Sequence, residues 1–401
     1  MLQLIQHRVA ALFCGMLLFA AGCAIWQEDK DSITVGVVLP LSGDRAESGN
    51  RVLDGVVTAA AELSQQEYFQ EHPLHLTFFD NQGSPRKAED AVRKAVAADA
   101  VAIIGPYSSD VALAVKRPAA EANIAILTPT ASDDDVSRNN DSIYQVCVDN
   151  TALAKAVAAH LAKSSAEPPT VAILLDLDED GRYSRMLGRL FAQEYKKLGG
   201  KVISTTGIHS DKDFRLPMVK VIEAAPDAIF APVFQEDALQ VAGMAAMLDY
   251  SGILVGAEDW DTEQLAESVG KMDLKCKVVF PALSPETLPE DFVSAIVSRS
   301  GNQPQDNEAL GYDAMMVLAD VFHELPELPT RESVKAAMKN KRTVTGSIGP
   351  FTINSQGGAS RPVYIKTIEK QDGVPERHVI DIYANEGENS SADPTPKSVT
   401  P

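Results

Sequence analysis

The chain has 401 residues, a formal net charge of −20, and ordinary apolar and charged fractions of 45% and 23%. So acidic a balance excludes a nucleic-acid partner, which needs a basic face, and a broad electrostatic hold on anionic lipid. The length exceeds what one hydrophobic core organises, so two lobes are expected.

Residues 1–22 read as a signal peptide. His7 and Arg8 precede a mostly apolar stretch at 10–22 that is too short for a membrane span and ends in small residues. Ala20-Ala21-Gly22-Cys23 resembles a bacterial lipobox, with Cys23 as the lipidated residue. Residues 23–32 form a polar spacer that reaches roughly 25–30 Å when stretched. The β-branched run at 33–39 predicts a buried parallel strand, followed by a helix from 47 to about 68 with Val52, Val56, Ala60 and Leu63 on one face. A strand at 74–79 and a helix at 84–98, with Pro85 at its first position, come next.

The stretch 101–132 is the most informative in the chain. An apolar run at 101–104 stops at Gly105-Pro106 and is followed by Ser108 and Ser109 where a helix must start. A second apolar run at 124–127 stops at Thr128-Pro129-Thr130-Ala131-Ser132. Helix N-termini offer unpaired N–H groups and partial positive charge, so this corner suits an anion. The alternation continues through a strand at 143–148, a helix at 150–162 and a break at 164–169. It then restarts with strands at 171–175, 201–206, 228–233, 253–255 and 277–280, and helices at 183–198, 214–224, 237–250 and 262–269. Helices follow at 290–300, 309–325 and 331–339, then two strand-like runs at 362–370 and 377–383. Residues 384–401, rich in Ser, Pro and Glu, read as a disordered tail. Strict alternation means doubly wound sheets, whose ligands sit at the C-terminal strand ends, where Ser42, Ser108, Ser109 and Ser132 fall.

Rival chemistry is weak. Asp176 to Gly181 matches half of a calcium loop, but Leu187 stands where the last acid belongs, and a solvated acidic loop is the expectation. His72 and His75 lack partners at metal-ligand spacing. No G-x-S-x-G elbow occurs, so no catalytic residue, metal or cofactor is expected. Cys147 and Cys276 fit either a disulfide or two buried thiols.

The pieces ITVGVVLPLSG, FFDNQGSPRKAEDAVRKAV, VAIIGPYSSDVA, AILTPTAS, YKKLGGKV, PDAIFAPVF, GYDAMMVLAD and VTGSIGPFTINSQGG stand in order from about 33 to 374. In this the chain resembles the type I periplasmic solute-binding proteins of ABC importers, in their leucine/isoleucine/valine-binding branch. The resemblance implies an α/β fold of two Rossmann-like lobes with parallel sheets, joined by three hinge crossovers that close on a ligand. Lobe one would be 31–147 plus 283–341, and lobe two 148–282 plus 342–383, with hinges near Cys147, Ala282 and Thr343. By the same resemblance Ser109, with Ser108 beside it, meets a ligand carboxylate, and Thr130-Ala131-Ser132 takes both ends of an amino acid. Tyr183 and Phe234 cover the ligand, and Glu258 pairs its ammonium. Ser48 stands where the family often has an aromatic, which implies a wider or more polar pocket. The expected protein is a monomeric lipoprotein of the periplasm or cell surface that delivers a small zwitterion, an amino acid or amide, to an inner-membrane ABC permease. The alternative is a sensor or regulatory lipoprotein of the cell envelope built on the same fold.

Overall fold

Ile33–Leu39 forms β1, buried along nearly its whole length as a β-branched run covered on both faces must be. The computed structural model describes residues 31–178, 181–209, 213–371 and 374–384. The expected signal peptide, Cys23, most of the spacer and the tail from 385 lie outside the described residues. β1 pairs in parallel with β2 (Leu74–Asp80) on one side and β3 (Ala102–Ile104) on the other. β4 (Ala125–Thr128) and β5 (Ile143–Gln145) complete a parallel sheet of order β2-β1-β3-β4-β5. The intervening helices are α1 (Ala46–Leu63), α2 (Glu67–Glu71), α3 (Pro85–Ala97), α4 (Ser109–Ala114) and α5 (Lys116–Glu121). α3 begins as its sequence demands: Ser84 accepts from the Lys87 N–H, and Pro85 takes the first turn. The single helix expected from 47 to about 68 instead ends at Leu63, and α2 starts separately at Glu67.

The second sheet begins after α6 (Asn150–Ala162). It holds β6 (Thr170–Asp176), β7 (Lys201–Ile208), β8 (Ala228–Phe230), β9 (Ile253–Val255) and β10 (Lys277–Ala282). Its connections are α7 (Arg182–Lys197), α8 (Arg215–Glu223), α9 (Gln235–Met247), a 3-10 turn at Glu258–Trp260 and α10 (Glu263–Lys271). The order β7-β6-β8-β9-β10 repeats that of the first sheet. The chain then returns through α11 (Glu290–Ser300), α12 (Asp306–Glu324) and α13 (Arg331–Met338). α12 lies against α1 at very close range. A Cβ on Gly55 would fall 1.9 Å from the Glu308 carbonyl oxygen, and one on Gly311 2.1 Å from that of Val52.

Three further strands were not expected: β11 (Arg342–Gly346), β12 (Gly349–Ile353) and β13 (Ala359–Ser360) make a small antiparallel sheet. It is fastened to α12. Arg342 is buried and bonds Asp320 at 2.8 Å and Glu324 at 3.2 Å, while buried Arg361 pairs with buried Asp313 at 3.0 Å. The Gln145 N–H also donates to the Gly357 carbonyl. The chain next enters the second sheet at β14 (Val363–Gln371). β14 and β15 (Val374–Tyr383) join the second sheet at the β10 edge and run antiparallel beside its parallel strands. Cys147 and Cys276 are both buried free thiols.

Candidate functional site

Both sheets have the strand order in which β1 and β3, or β6 and β8, diverge at a switch point. Loops leaving neighbouring strand ends in opposite directions open a crevice there, and ligands bind in it. Between the two crevices lies a cavity of about 300 Å3, at the small end of ligand pockets.

Lobe one contributes hydroxyls on an immobilised loop. Ser108 and Ser109 follow β3, and Thr130 and Ser132 follow β4; all four line the cavity. The Ser109 Oγ accepts from the Asp133 N–H at 3.2 Å, which leaves its own hydrogen for a ligand. Gln145 holds the loop by donating to the carbonyls of Ala131 and Asp133, and Ser137 fixes Gln145 in turn. Ser108 occupies the N-cap of α4 without a side-chain capping bond. Ala131, the middle residue of the Thr130-Ala131-Ser132 step, lies behind the cavity wall. It is buried and does not line the cavity, and its N–H is taken by Thr128 Oγ1 at 3.2 Å. Thr130 lines the cavity, but its hydroxyl donates to the Tyr107 carbonyl at 2.6 Å.

Lobe two contributes Tyr183 from the first turn of α7, Phe234 from the end of the β8 loop, and Glu258 after β9. Their rings and carboxyl meet in the cavity wall. Tyr183 and Phe234 stack with centroids 5.2 Å apart, and the Tyr183 hydroxyl donates to Glu258 Oε2. Buried Trp260 steadies the Phe234 loop through Nε1 on the Val233 carbonyl, and the Gln235 N–H bonds Asp259. Burial pushes the Glu258 carboxyl up to about 7; Asp259 and Asp306 add to this, and the Tyr183 hydrogen bond opposes it. Burial, then the Glu258 charge, raises the Tyr183 phenol well above its ordinary value, so it stays a donor. Cys147 also lines the cavity, its thiol raised by burial.

The sequence reading missed the charged frame around these residues. Arg45, before α1, lies 4.2 Å over the Phe234 ring and so crosses the cleft. Arg182, at the start of α7, crosses the other way to buried Asp133 at 2.8 Å and to Asp135 at 3.4 Å. Arg51 is held by Glu308 at 2.8 Å. Asp306 and Gln305 at the head of α12 close one wall. A signal for that wall was present. Gln305 and Glu308 form a capping box, which starts α12 three residues before the expected 309. Arg45 and Arg182 carried no local signal, because their partners lie on the opposite lobe, and Arg51 carried none because Glu308 is distant along the chain.

A sequence comparison matches residues 32–373 to the model of the periplasmic binding protein family. The Leu/Ile/Val-binding protein BraC3 of Rhizobium johnstonii is 23% identical over 329 residues, covering 81% of this chain and 88% of the relative. Among solved structures, a leucine-binding protein LivK from Thermotoga maritima superposes with a TM-score of 0.76 at 22% identity, covering 88% and 99% of the two chains. An ABC-transporter solute-binding protein from Rhodopseudomonas palustris, in complex with 3,4-dihydroxybenzoic acid, gives 0.79 at 19% identity over 90% and 99%. These structures share the fold of two doubly wound lobes. With the family model spanning most of its length, the chain belongs to the periplasmic binding protein family, whose members are solute-binding receptors of ABC transporters and not enzymes.

Proposed function

We propose that the chain binds a small zwitterion, an amino acid or amide, and delivers it to an inner-membrane ABC permease by closure of the two lobes. The observation that carries this reading is the division of chemistry across one cavity. Ser108, Ser109 and Ser132 face it from lobe one, while Tyr183, Phe234 and Glu258 face it from lobe two. Hydroxyls and N–H groups suit a carboxylate, a carboxylate suits an ammonium, and aromatic faces suit the apolar body between them. In this reading Ala131 serves only as a buried spacer. Lobe one comprises 31–147 with 283–362, lobe two 148–282 with 363–383. The protein acts as a monomer outside the cytoplasm, anchored through lipid on Cys23 once residues 1–22 are removed.

A second ligand class, small aromatic carboxylates, is favoured by the Tyr183–Phe234 stack, which could enclose a ring, and by the dihydroxybenzoate held by the R. palustris protein. Calorimetry of the mature protein against the common amino acids and hydroxybenzoates tests both. Amino-acid binding weakened by Glu258→Gln supports the first. Hydroxybenzoate binding alone supports the second, and a cell-envelope enzyme or kinase recovered in place of a permease would favour sensing.

A further inference from the structure

Asn150 opens α6 and ends the crossover that carries the chain from β5 of the first sheet toward the second. The head of this helix is capped in part from lobe one. The Asn150 N–H donates to the Ser132 carbonyl at 2.7 Å. The Asp134 carboxylate accepts from the Thr151 N–H at 3.2 Å and from the Thr151 hydroxyl at 2.6 Å. The first N–H groups of a helix have no partner within it, and that end carries partial positive charge, so an acid from another segment is well placed there. At the head of α7, Arg182 reaches Asp133 at 2.8 Å and Asp135 at 3.4 Å. Lobe two therefore grips four successive residues, 132 to 135. The same loop lines the cavity with Ser132 and bonds Ser109 through the Asp133 N–H.

The Asn150 side chain takes no part in this grip. It is fully buried, and neither Nδ2 nor Oδ1 has a hydrogen-bond partner among the described residues. Among those residues it is the one side chain that leaves both a donor and an acceptor buried and unmet. A primary amide brings two donors and an acceptor, and water would satisfy them in the open. Burying such a group unmet shifts an equilibrium by about five- to 150-fold against the state that buries it. Here that state is the narrow cleft, since Arg182 on Asp133 and Arg45 over Phe234 both bridge the lobes.

Resting on the lobe closure in the reading above, we propose that Asn150 is a positioning residue that opposes closure of the empty receptor. As the lobes close, the loop at 132–135 seals the amide against the head of α6; as they part, water reaches it. The amide works against the Arg182 pair, so the empty receptor does not close fully and the ligand supplies the remaining free energy. Leucine, which has the shape of asparagine without its polar atoms, would remove the restraint.

The test is small-angle scattering of the ligand-free mature protein. Asn150→Leu is expected to lower the radius of gyration below that of wild type, by shifting the population about fivefold or more toward the closed arrangement. Asn150→Ala, which removes the amide with no added bulk, should shift it the same way. Arg182→Ala, measured alongside, should shift it the opposite way. An unchanged or larger radius in both Asn150 variants, with expansion in Arg182→Ala, overturns the role of Asn150 and leaves closure standing. No change in any of the three overturns both.

Discussion

Glu258 joins stability, pH and binding in one side chain. Its carboxyl titrates near 7 in the folded protein, against 4.5 unperturbed, because burial disfavours the charged form. A folded pKa above the unfolded one means the ligand-free protein is favoured below about 4.5 and loses that advantage as pH rises through about 7. Glu258→Gln should flatten the decline in melting temperature between these limits, and thermal melts across pH 4 to 9 would show it. Binding runs the opposite way. An ammonium needs the carboxylate, so affinity should strengthen as pH rises through about 7. At pH 8 the same variant should weaken an amino-acid ligand by about 10- to 150-fold, the range of about 1.5–3 kcal/mol for a charged hydrogen bond. Unchanged calorimetric affinity would remove Glu258 from the site. Tyr183→Phe should cost less, since the ring and its stack on Phe234 remain while only the hydroxyl is lost.

Two packing features position the elements that carry the site. The α1–α12 seam depends on Gly55 and Gly311, where any Cβ would strike backbone that cannot step aside. Gly311→Val should therefore force the helices apart and destabilise the protein by at least about 1–3 kcal/mol, read as a lower melting temperature. It should also move the head of α12, and Asp306 with it. The second feature is the Asp261–Lys366 pair, in which both side chains are nearly inaccessible. Asp261→Asn strands the buried ammonium and should cost about 3–5 kcal/mol, whereas replacing the pair together with apolar residues should cost much less. Denaturant unfolding of the single and double variants separates these outcomes.

Across the whole molecule, the lobes touch through side chains that neither lobe explains alone. Arg182 reaches Asp133, whose side chain is fully covered, and Arg45 lies over Phe234. Both contacts can exist only while the cleft is narrow. Arg182→Ala should leave Asp133 unpaired, favour the open arrangement, and weaken binding mainly through faster release. Small-angle scattering of the ligand-free variant should show a larger radius of gyration than wild type; identical profiles would argue that Arg182 plays no part in closure. In the proposed closure, the crossovers at 147–150, 282–283 and just before Val363 would absorb the motion.

How much was legible in the sequence follows from the range of each interaction. Alternating apolar runs and helical faces are local, so the doubly wound fold was readable, and with it the strand ends where Ser108, Ser109 and Ser132 emerge. Tyr183, Phe234 and Glu258 could be named only by resemblance, because nothing local marks an aromatic or an acid after a strand as facing a cleft. The small sheet of β11 to β13 was missed because its strands are short and are held by Arg342 and Arg361 on a distant helix. Where the Ala131 N–H points was not legible, because its direction depends on Thr128. Composition and periodicity thus determined which segments form strands and helices, and that they make two lobes. Only the tertiary structure decided which charges meet across the cleft, since a guanidinium and a carboxylate from opposite lobes find each other through packing and not through spacing along the chain.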